Sequence, residues 1–339
     1  MRTFAIPVSK SQPSRSTRFI SKPLQNLTVA TLQEPSAFVG TEAAPFVKVE
    51  QSEGKYFILP PGQYNTLSMA RRAPSTESEG SGWTYSNDSY KCERYATHHD
   101  EDWSDLADED PALNSDAEGA EWLANQGRIF LDFSWQAVCM QPATWTTDYD
   151  GVSGVPGANE IKQWNESGST PQADVETLKE AIEDLIGRLP NTMVVGRSVH
   201  KRLLTHAIVR DAIKYTEQTT MKNIDVNAKM AAFFGVERYL VARAFRNTAN
   251  EGQTASLGKI VNSLDMWLGY VNPSPGKRKL SAAYTFAWTG PQGVGSDGVV
   301  TRKFDIETKT TTRREIETFW DVKVISADAG AFVDDCVAS

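Results

Sequence analysis

Cysteine is scarce in this chain: Cys92, Cys139 and Cys336 are the only three among 339 residues, and no two form a CxxC pair. That argues against a zinc cage and against a disulfide framework, and the three read as free thiols. Long apolar runs are missing. None approaches the roughly 20 residues that a membrane span needs. Met1 to Ile20 has no continuous apolar segment of the kind a secretory signal carries, so the expectation is a protein made and kept in a cytoplasm. Positive charge is also in deficit, with 35 Lys and Arg against 43 Asp and Glu and a net charge of -8. A dedicated nucleic-acid binder needs a basic surface to neutralise phosphates, and this balance argues against one. No GxSxG elbow and no GxxxxGK[ST] loop occurs, so the common hydrolase and phosphate-binding signatures are absent.

What is present is unevenly placed. Met1 to Gln33 holds five basic residues, Arg2, Lys10, Arg15, Arg18 and Lys22, and no acid. Asp100 to Glu121 holds ten acids and no Lys or Arg. Such asymmetry points to different partners for different stretches. The basic stretch is rich in Ser and Pro, has no sustained period, and reads as an extended arm. Strand alternation appears at Lys55 to Leu59, where Tyr56 and Ile58 alternate with Lys55 and Phe57, and it stops at Pro60-Pro61-Gly62. It returns at Trp83 to Tyr95, after a polar stretch that carries Arg71 and Arg72. Two strands joined by about twenty polar residues make a long hairpin, a connection length usually reserved for function. With few large aliphatic residues of its own, such a hairpin is expected to lie on another surface.

A long helix is predicted next, capped by Asn114 or Ser115 and running to Cys139 without proline. One of its faces reads Leu113, Ala117, Ala120, Ala124, Gly127, Leu131, Ser134, Val138, small residues that would admit a second backbone. The adjacent Leu123, Phe130 and Phe133 suit a helix packed between layers. After a Gly/Pro-rich loop (Gly151 to Gly157) and a polar stretch (Asn165 to Pro171), Asp174 can cap a helix through Arg188, and Thr192 to Val195 reads as a buried strand. Ser198 can cap a further helix with Val199, Leu203 and Leu204. Strands then dominate at Tyr239 to Phe245, Ile260 to Tyr270, Ala282 to Trp288, Val300 to Thr308 and Thr318 to Ile325. The class is α+β, with no regular βαβ alternation and no internal repeat.

Two apparent sites dissolve on a closer reading. Gly293 to Gly298 spells GxGxxG, but a strand pattern follows it where a dinucleotide fold needs a helix, so it reads as a hairpin loop. His98-His99-Asp100-Glu101-Asp102 has the residue types of a metal site, yet adjacent side chains rarely share one ion and no distant partner set accompanies them; it reads as a solvated acidic loop. No catalytic, cofactor or metal residues are assigned.

The order of parts carries more. Gly54-Lys55-Tyr56-Phe57, Tyr90-Lys91-Cys92-Glu93-Arg94-Tyr95-Ala96, Asn114-Ser115-Asp116-Ala117, Pro190 to Gly196 with Val199 and Leu203-Leu204, and Asp321-Val322-Lys323-Val324 followed by Gly330-Ala331-Phe332 occur in that sequence. Together they resemble the major capsid proteins of tailed bacteriophages over nearly the whole chain. The resemblance implies an N-terminal arm (1–45), an extended hairpin loop (46–97) and a peripheral domain (98–165) with a spine helix at 114–139. An axial α/β domain (166–299) and return strands of the peripheral domain (300–339) follow. It implies a structural, non-enzymatic protein without cofactors that self-assembles as hexamers and pentamers into an icosahedral shell around DNA. Expected partners are other copies, a portal, a decoration protein and non-specifically packaged DNA, with no membrane. Some members carry a fused scaffolding segment; too little sequence precedes Lys55 for one, so the scaffold is expected to be a separate protein. The protein would reside in the virion after assembly in the host cytoplasm. Candidate subunit contacts are Arg15, Arg18, Lys55, Tyr56, Ile58, Arg71, Arg72, Tyr85, Tyr90 and Arg94. The alternatives are a cellular nanocompartment shell of the same fold and, remotely, a nucleotide-binding enzyme.

Overall fold

The structure, a computed structural model, describes residues 33–58, 65–82, 84, 86–108, 115–216, 226–250, 252–276 and 278–338. The basic arm with Arg15 and Arg18, the helix cap Asn114, and Tyr85 lie outside them. Strands and helices alternate irregularly. The strands through the middle of the chain are β1 (Phe46–Val49), β2 (Glu53–Ile58), β3 (Ser86–Lys91), β4 (Glu93–Asp102), β5 (Thr147–Val152), β6 (Glu160–Lys162), β7 (Thr192–Gly196) and β8 (Arg238–Ala242). They continue with β9 (Phe245–Asn247), β10 (Leu257–Lys259), β11 (Met266–Gly269), β12 (Ala283–Trp288), β13 (Val299–Ile306), β14 (Thr311–Val324) and β15 (Gly330–Asp334). The α-helices are α1 (Gly40–Ala43), α2 (Trp103–Ala107), α3 (Ser115–Cys139), α4 (Pro171–Ile186), α5 (Arg197–Thr205), α6 (Ala207–Thr216) and α7 (Val226–Phe234). Among these residues no helix is long and apolar enough to cross a membrane.

Contacts divide the chain into two units. One draws on 94–128 and 299–318, the other on 34–93, 129–298 and 319–339. The second unit is built on a six-stranded sheet in the order β6-β5-β15-β11-β7-β8. Every residue of β7 and β11 is buried, as expected of strands covered on both faces. Val175, Leu178 and Ile182 of α4, Val199 and Leu203 of α5, and Phe234 of α7 bury their apolar stripes with Met193, Val195, Met266 and Leu268 of the strands. Helix α4 starts at Pro171, three residues before the Asp174 cap that the sequence suggests, and ends where Gly187 turns left-handed with its N–H on Glu183 O. Asp174 is instead a partner of the Trp164 indole at 2.9 Å.

In the first unit β13 pairs antiparallel with the N-terminal half of β14, residue 299 opposite 318 through 306 opposite 311, and β4 also pairs with β14. The GxGxxG segment leads directly into strand β13, with Gly293 and Gly298 at positive φ, where a dinucleotide fold needs a helix. It joins β12 and β13, but each of these pairs with β14 and they do not pair with each other, so the loop is not the turn of a hairpin. Strand β14 is 14 residues long and starts seven residues before the expected Thr318. The acidic stretch around His98 and His99 is strand β4, not a solvated loop, because arginines of β14 neutralise its carboxylates.

The 25-residue α3 matches the predicted long helix closely, yet its buried face is different. Gly119, Leu123, Gly127, Leu131, Trp135 and Cys139 are buried at every fourth position, whereas Ala117, Ala120 and Ala124 are exposed. Bulky residues fix the buried stripe, and glycine occupies it only where β14 side chains press close. A Cβ on Gly127 would stand 3.3 Å from Ile316 Cδ1. Gly127→Leu is therefore expected to overpack this contact and lower stability by about 1–3 kcal/mol, measured by denaturant unfolding of the subunit. Gly127→Ala, whose single methyl needs only a small movement of Ile316, should cost far less.

Candidate assembly surfaces

The hairpin begins with β2 and β3, paired antiparallel from Glu53 opposite Lys91 to Ile58 opposite Ser86. Alternation sends Tyr56 and Tyr90 inward and Lys55 and Phe57 outward. Tyr56 and Tyr90 lie 5.3 and 4.6 Å from the Phe286 ring of β12, the second of them stacked. Tyr56 Oη donates to Asp88 at 2.9 Å, and burial pushes its phenol well above the ordinary range. The Tyr90 ring also covers Gly54 directly opposite, where a Cβ would come within 2.7 Å of the tyrosine oxygen. Asp321 accepts from the Lys91 N–H at 2.8 Å. The base of the hairpin thus lies on another surface, as expected, and that surface belongs to its own subunit.

Its far end is different. Residues 65–82 have no helix or strand and every one is exposed. Leu67 and Met69 are each 89% exposed beside Arg71 and Arg72. Arg72 is held by the Thr76 carbonyl, which shapes a local turn without giving the segment a core. Phe57 is 59% exposed on the outer face of β2. A ribbon tip carrying large apolar groups and arginines into solvent suits a contact with another chain. Leu67 and Met69 escape sequence reading because an apolar residue inside a polar run has no periodic signal.

The candidate contacts therefore separate. Lys55, Arg71 and Arg72 are exposed and Ile58 is half-buried, while Tyr56 and Tyr90 are core residues of the subunit. Arg94 is committed to the buried Glu317 of its own unit. Arg302 reaches the same carboxylate at 2.8 Å. Arg313 forks onto Asp100 with two bonds of 2.6 and 2.7 Å. Deeper in this unit Arg314 and Glu101, with side chains only 4% and 1% exposed, pair at 2.8 Å. Burial alone would raise the Glu101 carboxyl; the His99 ring and the Arg314 guanidinium outweigh it and hold the group at about 2. These ion pairs lie beside the buried Leu123 and Ile316 of the same unit.

Other polar clusters of the second unit have structural explanations. Ser169 Oγ lies 3.2 Å from His206 Nε2, but its proton goes to the Glu166 carbonyl at 2.8 Å, so the pair presents no activated nucleophile. Carboxylate oxygens of Asp265, Asp334 and Asp335 lie within 4.8 Å of one another. Asp265 is buried, and burial followed by the neighbouring Asp334 raises its pKa to about 8. Asp265 thus keeps its proton near neutrality, beside the Asp334 carboxylate. Because the folded value is raised, the associated stability is complete below the ordinary value and is lost as pH rises through about 8. Asp265→Asn should flatten that loss, so that the Tm difference between wild type and variant at pH 6 changes in the variant's favour at pH 9.

Comparison with known proteins gives partial sequence matches and fold matches over most of the chain. Residues 144–255 match the family described as phage major capsid protein E. The major capsid protein of Burkholderia phage BcepMu is 39% identical over 83 residues, 24% of this chain, and the match spans only 26% of that protein's length. A solved phage-related protein from Bordetella bronchiseptica RB50 superposes with a TM-score of 0.66 at 22% identity, over 91% of this chain and 94% of that one. The capsid subunit of cyanophage P-SCSP1u gives a TM-score of 0.57 at 11% identity, over 97% of this chain and 100% of the other. The fold is that of tailed-phage capsid subunits.

Proposed function

We propose that this chain is the major structural subunit of a phage head, assembling as hexamers and pentamers into an icosahedral shell that encloses DNA. The observation that carries this reading is the hairpin tip at 65–82, wholly exposed and bearing Leu67, Met69, Arg71 and Arg72. An isolated ribbon of this kind gains stability only by being covered, and a neighbouring copy is the partner present in greatest number. The match of residues 144–255 to phage major capsid protein E supports the same reading. The peripheral domain with its spine helix and the axial domain belong to this scheme, and the arm with Arg15 and Arg18 adds an electrostatic contact to an acidic partner. A scaffolding protein, portal and decoration protein belong to the same scheme, with assembly in the host cytoplasm and residence in the virion.

Electron microscopy of the purified full chain tests it. Closed particles with fivefold and sixfold clusters are expected, alone or with the scaffold of the same phage. A chain that stays monomeric at high concentration under both conditions would overturn the proposal. A cellular compartment shell of the same fold would hold protein cargo and no genome, so the contents of particles recovered from cells decide between the two.

A further inference from the structure

We propose that a cavity beside the hairpin base is a socket for the short acidic helix α2 of a second copy. The inference rests on the assembly reading above and adds a specific partner segment. The cavity, of about 880 Å³, lies wholly within the second unit, between the base of the hairpin, the end of α4 and the loop after β11. That is within the range of about 300–1,000 Å³ that encloses a compact ligand. Its floor is aromatic: Tyr284 and Phe286 are 2% and 1% exposed. Its rim is cationic, with Arg188, Arg278 and Lys279 all exposed, against Asp328 as the one acid among the lining residues. Arg188 is fixed in place, donating to Tyr270 Oη at 2.7 Å with its guanidinium 5.3 Å from the centre of that ring. A pocket with an apolar floor and a positive mouth selects a segment that is anionic at its edges and apolar at its tip.

The chain carries such a segment. Between Tyr95 and Gly127 there is no Lys or Arg. Within it α2 presents Trp103 and Leu106, 39% and 38% exposed, flanked by the half-buried Asp105 and the exposed Asp108. The helix is held ready: Asp102 caps the Ser104 N–H at 2.8 Å, the Trp103 N–H donates to Thr310 O at 3.0 Å, and its indole donates to Thr312 Oγ1 at 3.1 Å. Little ordering remains to be lost on docking. Plug and socket are different surfaces, so the contact is heterologous. Such a contact closes into a ring when its rotation allows, the geometry that a hexamer or a pentamer requires.

Two measurements on the full chain test the inference. In the first, Arg278→Glu and Asp105→Lys are each expected to lower the assembled fraction at low salt by about tenfold, and the double variant to recover most of it, since opposite charges again face each other. In the second, chains carrying Leu106→Cys are mixed with chains carrying Leu280→Cys, a residue of the cavity wall. The three native cysteines are buried, so mild oxidation should join the two chain types in a disulfide dimer. No mixed dimer, together with no recovery in the double charge variant, would overturn the proposal. So would a disulfide that forms only within one chain when both cysteines share it. Should wild type form no closed particles, the shell reading falls, while the mixed disulfide still reports on the socket by itself.

Discussion

A chain in which Thr66–Gly82 is replaced by a short Gly/Ser turn is expected to fold normally and to form no stable closed shells. The removed residues are all exposed and form no helix or strand, so their loss opens no cavity and strands no buried polar group. The anchors of the hairpin remain: Tyr56 and Tyr90 on Phe286, and Asp321 on the Lys91 N–H. Thermal unfolding of the subunit should therefore shift little. Assembly is a different matter, because many weak contacts act together in a shell, and losing one per subunit is multiplied over every copy. Circular dichroism reports the first outcome and sedimentation the second. Shells of normal size and stability would show that the tip is an ordinary surface loop. An unfolded subunit would show that it belongs to the core.

Glu101→Gln should be the most destabilising single change in the first unit, by about 3–5 kcal/mol. The substitution preserves shape but removes the charge facing Arg314, whose side chain is 4% exposed, and it weakens the contact with His99 at 3.6 Å. A buried guanidinium deprived of that carboxylate cannot recover its hydration. The double variant Glu101→Gln, Arg314→Met should cost less than the single change, since both charges then leave together. The pH dependence has a fixed sign. The folded carboxyl sits at about 2, below its ordinary 4.5, so its contribution is present above 4.5 and is lost as pH falls through about 2. Denaturant curves of wild type and Glu101→Gln should therefore converge on acidification across that interval. Parallel curves from pH 7 to 2 would show that Glu101 is not the charged partner of Arg314.

The sequence by itself determined the elements whose burial follows hydropathy. The spine helix is proline-free and was predicted within one residue of Ser115–Cys139; β7 and β12 are apolar enough to be read directly. The order of those elements was enough to suggest the capsid fold. Tertiary structure alone decided three things. The inward face of α3 follows Leu123, Leu131 and Trp135 rather than the alanines, because small residues tolerate either environment and carry no directional signal. The end of β4 reads as solvated charge and the first half of β14 is not predicted as strand, yet Arg314, Glu317 and Glu101 are buried. A charged side chain enters a core only with a partner, and Arg314 and Glu101 are 213 positions apart in a sequence that offers no local sign of their pairing. The hairpin divides in the same way: Tyr56 and Tyr90 are spent on the subunit's own Phe286, which only the fold brings to them, while residues 65–82 stay exposed.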